Sequence, residues 1–184
     1  MLERQDPAQC DDTDRGCAGG FLYSRVWHVP VDQGEPGAAH ESACKTGVDG
    51  IALDPANEWL YYGAINHSDL FRIRVSDLTN PALPARQLEN EVERFSDKPL
   101  SDGLSVDLEG NIYITDVEHG SVMRVGQDRR LETIIQSPAI RWADGVSFGP
   151  DGWLYLADSA IPELVLKSRD HITASGPYYV FRFR

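Results

Sequence analysis

The chain has 184 residues, a formal net charge of −12 at pH 7 and a hydrophobic fraction of 41%. This length and composition predict a single folded domain. The acidic balance argues against nucleic acid and anionic membranes as partners, since both are bound through a surplus of Lys and Arg. No apolar run approaches the roughly 20 residues that a membrane-spanning helix requires, and the N-terminal stretch MLERQDPAQC lacks the layout of a signal peptide.

Residues 1–46 predict an irregular segment that is not assigned to a domain, with one strand at FLYSRVWHV, residues 21–29. The three cysteines, Cys10, Cys17 and Cys44, all lie in this segment and match no zinc-binding spacing. So few cysteines favour free thiols over a disulfide between Cys10 and Cys17, which stays open as the alternative.

From residue 47 onward the sequence repeats one pattern three times: Asp-Gly, an alternating strand, a polar turn and an apolar strand. The three copies are VDGIALDPANEWLYYG, SDGLSVDLEGNIYITD and ADGVSFGPDGWLYLAD. Their Asp-Gly pairs are Asp49-Gly50, Asp102-Gly103 and Asp144-Gly145. A period of about 40 to 50 residues is typical of repeat architectures such as propellers.

The copies predict short strands in chain order. The first gives GIALD, WLYYG and LFRIRV, followed by a short amphipathic helix on the spacing of Leu88, Val92 and Phe95. The second gives GLSVD, NIYITD, VMRV and LETIIQ, and four antiparallel strands make one propeller blade. The third gives GVSFG, WLYLAD and, after a long excursion, YYVFRFR. The expected fold is all-β: a partial β-propeller over residues 47–184, with about three four-stranded antiparallel blades at 48–98, 101–140 and 143–184.

These segments resemble a known family. GVDGIALDPANEWLYYGAINHSDLFRI, RVSDLTNPAL and DKPLSDGLSVDLEGNIYITDVEHGSVMRV, taken in order, are similar to the bacterial branch of the major royal jelly protein/yellow family. That branch lies within the six-bladed propellers that include gluconolactonase and regucalcin. The resemblance covers Gly47 to Arg184, so the chain is expected to correspond to the C-terminal half of a family member. It also suggests an extracellular or periplasmic location.

Asp49, Asp102 and Asp144 each stand where the chain enters the innermost strand of a blade, so their carboxylates should converge at one mouth of the channel. Convergent oxygens suit Ca²⁺ or another divalent cation, and equally a cationic or polyhydroxylated ligand. The resemblance implies a metal-binding and catalytic role for Asp102 and a metal-binding role for Asp49, where the wider group commonly has asparagine. The competing interpretation is structural, because aspartate before glycine is a common turn residue.

A second set of side chains follows the next strand of each blade. Asp116 and Asp158 are equivalent, while the first copy has Ala64 at this position. Glu118 and His119 lie just beyond and are either an acid/base pair at a ligand site or solvated turn residues. Trp142 is expected near the channel mouth. The other strand aromatics should pack between blades: Trp59, Tyr61, Tyr113, Trp153 and Tyr155.

Two functions follow from the resemblance. The first is a small-molecule-binding propeller protein of the major royal jelly/yellow type; the alternative is a divalent-metal-dependent lactonase in which Asp102 activates water. An open stack of three blades also exposes two apolar faces. The sequence therefore predicts a homodimer that completes a six-bladed ring, unless the chain is an incomplete fragment.

Overall fold

The computed structural model describes residues 47–184, which form eleven strands in three antiparallel sheets. The first sheet contains β1 (Val48–Leu53), β2 (Trp59–Ala64), β3 (Asp69–Arg74) and β4 (Glu93–Asp97). The second contains β5 (Leu104–Val106), β6 (Ile112–Asp116), β7 (Ser121–Val125) and β8 (Leu131–Gln136). The third contains β9 (Ala143–Phe148), β10 (Leu154–Asp158) and β11 (Tyr179–Phe183). The cysteines and the strand expected at 21–29 lie outside the described residues.

Each sheet is a meander in which neighbours in sequence are neighbours in space. Strand β5 lies beside β1 on one side and β9 on the other, so the first strand of each sheet is the innermost one. This arrangement confirms the all-β, three-blade propeller fold. The third sheet has three strands rather than four, because the chain between β10 and β11 forms a 3₁₀ turn (Ile161–Glu163) and helix α3 (Arg169–Ala174).

The helix predicted in the first blade is shorter than its apolar spacing suggested. Two short helices, α1 (Val75–Leu78) and α2 (Ala85–Asn90), follow β3, and Leu88 is buried on α2. Phe95 instead lies in β4, where its ring meets Tyr61 edge-on at 5.1 Å between centroids. Pairing of β4 with β3 therefore overrides the helical spacing. No helix within residues 47–184 is long and apolar enough to cross a membrane.

Apolar side chains fill the spaces between successive blades. One cluster joins the first and second blades and contains Tyr61, Leu70, Phe95, Leu104, Ile112, Ile114 and Val125. Another joins the second and third blades and contains Val122, Ile140, Ala143, Val146, Leu154 and Leu156. Trp59 packs against the first cluster and Tyr113 against the second, as expected of aromatic residues that pack between blades.

The outer faces of the stack remain apolar. On β1, Ile51 is 59% exposed and Leu53 is 48% exposed. On β11, Val180 is 72% exposed. Where exposed apolar side chains form one surface, other protein surface commonly packs on it.

Candidate functional site

The Asp-Gly segments lie where one blade touches the next. A Cβ atom on Gly103 would lie 2.1 Å from the carbonyl oxygen of Asp144, and one on Gly50 would lie 2.9 Å from Leu104 Cγ. Any side chain at these positions would push the blades apart. Gly145, at the outer face of the third blade, has nothing within 4 Å. The recurring glycine therefore has a packing role, which leaves the recurring aspartate to be explained separately.

Asp102 and Asp144 both act on the Asp49 carboxyl at the mouth of the stack. Burial raises the pKa of the Asp49 carboxyl, and repulsion by Asp102, a hydrogen bond to Asp102 and repulsion by Asp144 raise it further. The Lys98 ammonium opposes this rise. Charges from three successive blades therefore act on Asp49, and a shared ligand site of the three aspartates stays a prediction.

Trp142 fixes the central acid of this group. Its indole Nε1–H donates to Asp102 Oδ2 at 2.7 Å, from the third blade to the second. The backbone N–H groups of Asp102 and Gly103 donate to Thr115 Oγ1 at 3.1 and 2.9 Å. Asp102 is therefore held through both its backbone and its side chain.

Asp158 in turn holds the backbone of Trp142. The side chain of Asp158 is 0% exposed and pairs with Arg141 Nε at 2.9 Å. Its other oxygen accepts the backbone N–H groups of Arg141 and Trp142 at 3.0 and 2.8 Å. The guanidinium of Arg141 also donates to the carbonyls of Ser175 and Pro177. This acid is a structural anchor for the segment that carries Trp142.

Asp116, the equivalent acid in the second blade, closes the turn between β6 and β7. Its carboxylate accepts the backbone N–H groups of Glu118 and His119 and the hydroxyl of Ser121, and it contacts His119 Nδ1 at 3.0 Å. Asp116 is buried, whereas Glu118 and His119 are exposed. The geometry gives Asp116 a turn-forming role, and ligand binding by these three residues stays a prediction.

The carboxylates at the mouth are the type of ligand that a hard divalent cation binds, but they are too few for a whole site. Within residues 47–184, no group of three or more His, Cys, Asp or Glu side chains is arranged to hold a metal ion. Asp102 acts on the pKa of Asp49 from the neighbouring blade, and carboxylate oxygens are the ligands that Ca²⁺ and Mg²⁺ prefer. Because Ca²⁺ takes roughly six to eight oxygens, these two residues fit one side of a site rather than a whole one.

Lys98 is a site residue that the sequence interpretation missed. It is 3% exposed, and its Nζ donates to the carbonyl of Pro99 and to Ser101 Oγ, both at 2.9 Å. Its position four residues before Asp102, in DKPLSDG, was the available signal. A lysine between turn residues is normally solvated, so the pattern gave no reason to expect its burial.

A cleft of about 370 Å³ opens at the opposite end of the strands and contains none of the three aspartates. It lies between the first and second blades and includes Asp54, Trp59, Arg72 and Leu108. Arg72 stacks on the Trp59 ring at 3.9 Å and binds Glu93, while Asp54 accepts backbone N–H groups of its own turn. Asp54 and Arg72 are therefore already paired within the chain.

Comparison with known proteins places the fold in a family. Residues 31–161 match the SMP-30/Gluconolactonase/LRE-like region. No curated protein sequence matches the chain significantly. A gluconolactonase from Xanthomonas campestris superposes with a TM-score of 0.55 at 12% identity, covering 76% of this chain and 44% of its own. Regucalcin from Agrobacterium tumefaciens, a calcium-binding protein, gives a TM-score of 0.51 at 23% identity, covering 73% and 44%.

These structural similarities establish a shared propeller fold. The chain spans less than half the length of either relative. A cation site that needs ligands from several blades would therefore draw only part of its ligands from these residues.

Proposed function

The chain belongs to the SMP-30/gluconolactonase/LRE-like family, and on this premise we propose that it supplies part of a cation-dependent lactonase site. The observation that supports this most directly is the closeness of the two Asp-Gly segments of adjacent blades: a Cβ atom on Gly50 would lie 3.1 Å from the Asp102 carbonyl oxygen, and Asp102 raises the pKa of Asp49. Asp144 adds negative charge from the third blade, and Trp142 orients Asp102. Concentrated carboxylate charge at a channel mouth attracts cations.

In this proposal Asp49 and Asp102 bind the cation, and Asp102 is also the general base that accepts a proton from water. A bound divalent cation would supply Lewis-acid polarisation of a lactone carbonyl. Asp102 accepts a proton from the attacking water, which requires a carboxylate held in a fixed orientation. The hydrogen bond from Trp142 to Oδ2 provides that orientation.

The test is calcium titration of the whole chain by calorimetry and thermal shift, followed by a gluconolactone hydrolysis assay. Asp102→Asn should weaken calcium binding by more than the roughly tenfold that loss of an outer-shell partner costs. Asp128→Asn is the matched control, since it removes the same charge from an exposed turn at the far end of the second blade. A parent chain that binds no calcium, or equal effects of the two substitutions, would contradict the proposal.

A second candidate is small-molecule binding of the major royal jelly/yellow type, with the extracellular or periplasmic location that this branch suggests. The observation in its favour is the half-buried indole of Trp142 in contact with the Asp102 carboxylate, a combination that suits a small organic cation. Titration with choline, followed by calorimetry, tests it. Binding should be lost in Trp142→Phe/Asp102→Asn, and an unchanged signal in that variant would count against this candidate.

We also propose that further blades pack on the outer faces of the stack, and that a second copy of the chain is their source. A neighbouring blade packs against Gly50 and against Gly103, whereas the equivalent space beside Gly145 is open. Ile51 and Leu53 offer an exposed apolar face on the first blade. Two copies would supply six blades.

A further inference from the structure

Lys98 is buried at the mouth by contacts along its whole length. Its backbone N–H donates to the carbonyl of Ser68 at 2.8 Å, which fixes the residue on the turn between β2 and β3. Its side chain passes over Gly63, where a Cβ atom would lie 2.5 Å from Lys98 Cε. Its ammonium donates to Ser101 Oγ, and Ser101 is itself 2% exposed. A lysine held this way is part of a built site rather than a solvated surface residue.

The strand register brings the Lys98 side chain to the bulge that contains Asp49. In the β1–β2 pair, Val48 lies opposite Ala64 and Ile51 lies opposite Tyr62, with the register shift between them. Asp49 and Gly50 therefore form a bulge opposite Gly63, the residue that Lys98 covers. On the other side of the bulge, a Cβ atom on Gly50 would lie 3.1 Å from the Asp102 carbonyl oxygen.

Two carboxylates act on the charge of Lys98, Asp69 more strongly and Asp49 less strongly. Burial lowers the pKa of Lys98 to about 8, while the carboxylates of Asp69 and Asp49 raise it. The side chain therefore remains largely protonated at neutral pH. Asp69 has a second cationic partner, Arg94, at 2.7 Å. For Asp49, the cation whose charge lowers the pKa is Lys98.

We propose that Lys98 is a built-in counterion of the acidic mouth, which offsets the repulsion among Asp49, Asp102 and Asp144 and weakens the binding of added cations. Three carboxylates and one ammonium leave two negative charges, which is the charge that one divalent cation neutralises. The effect on added cations rests on the proposed cation site, whereas the pairing with Asp49 does not.

A double-mutant cycle tests the pairing independently of cation binding. Unfolding by urea is compared for the parent chain, Asp49→Asn, Lys98→Met and the double variant. Asp49→Asn should stabilise the Lys98→Met chain more than it stabilises the parent, with a coupling on the order of threefold in the unfolding equilibrium constant. Additive effects would overturn the proposal. If Lys98→Met alone does not fold, recovery of folding in the double variant supports the pairing, and failure to recover overturns it.

Calcium titration tests the second part. Lys98→Met should lower the Kd for calcium by about tenfold, because a neighbouring positive charge is removed. Ser101→Ala, which removes a hydrogen-bond partner of the same ammonium but keeps its charge, should change the Kd less than about twofold. A purely structural lysine predicts the opposite sign, weaker binding in both variants, and that result would overturn the inference. If the parent chain binds no calcium, the proposed cation site and this second part both fail, and the cycle alone decides whether Lys98 pairs with Asp49.

Discussion

Trp142 and Asp102 lie on different blades, yet the indole Nε1–H of Trp142 donates to Asp102 Oδ2 at 2.7 Å. The Trp142 backbone is held in turn by Asp158, whose carboxylate is fully buried. A buried acid of the third blade thus determines, through one indole, the orientation of the central acid of the mouth. The structural aspartate, Asp158, and the candidate functional aspartate, Asp102, are therefore connected through Trp142.

Replacing Trp142 with phenylalanine should reveal how much this bond contributes. The ring is largely kept and the donor is lost, so the free energy of unfolding should fall by about 1 kcal/mol, a modest value because Asp102 is partly exposed. Urea unfolding measures the change. Trp153→Phe is the control, since its ring lies against Arg182 at the far end of the third blade. Equal losses in the two variants would show that the effect is ring packing rather than the hydrogen bond.

Asp158→Asn should be more costly than the loss of any exposed ion pair. It leaves the partly buried guanidinium of Arg141 without its counter-charge, and breaking a pair of this kind costs about 2–4 kcal/mol. Glu132→Gln, which removes the exposed partner of Arg124, should cost under about 1 kcal/mol. Chemical denaturation of both variants makes the comparison. A loss for Asp158→Asn as small as that for Glu132→Gln would mean that solvent replaces the pair.

The blades could be predicted from sequence because each strand and turn is specified by residues that are close together in the chain. Alternation of apolar and polar residues, as in GLSVD, predicts the strands, and glycines in the turns predict where they end. The repeat of Asp-Gly predicts the order of the blades. The strand at Phe95 could not be predicted in this way, because its spacing from Leu88 fits a helix and only the pairing of β4 with β3 makes it a strand.

The site was predictable in outline and not in detail. Convergence of the three aspartates follows from the repeat. The bond from Trp142 to Asp102 and the burial of Lys98 depend instead on side chains that meet across blades or over Gly63. Neither periodicity nor composition encodes such contacts.

The acidic mouth should make stability depend on pH in a defined direction. The pKa of Asp49 is raised in the folded chain from an ordinary value of 3.8, so folding is favoured by protonation of this group. The favourable contribution is fully present below that ordinary value and is lost as the pH rises through the higher, folded pKa. Asp49→Asn should therefore stabilise the chain at pH 7 and have little effect at about pH 3, where both chains are uncharged at this position. Thermal unfolding across this range decides, and a stabilisation that is independent of pH would contradict the electrostatic origin.

Gly103 and Gly145 form a matched pair: Gly103 packs against the next blade of the stack, whereas Gly145 faces open space. Gly103→Ala places a Cβ atom against the Asp144 carbonyl oxygen and should lower the free energy of unfolding by about 2 kcal/mol or more. Gly145→Ala meets open space and should leave the unfolding of an isolated chain within about 0.5 kcal/mol of the parent. Denaturation at low protein concentration compares them. Equal losses would mean that Gly145 is required by its backbone conformation and not by an absent neighbour.

The same substitution tests whether a second copy occupies the outer face. If another blade packs on the third as the third packs on the second, a Cβ atom at position 145 should prevent it, just as one at 103 would disturb the contact with Asp144. Light scattering of the parent chain should then give the mass of a dimer, and that of Gly145→Ala a single chain. Val180→Lys is the companion variant, because it places a charge on exposed apolar surface of β11 without altering Gly145. If the parent chain is a folded monomer at every concentration, a second copy is not the source of further blades. A pure chain can associate only with itself, so raising its concentration would have produced the dimer.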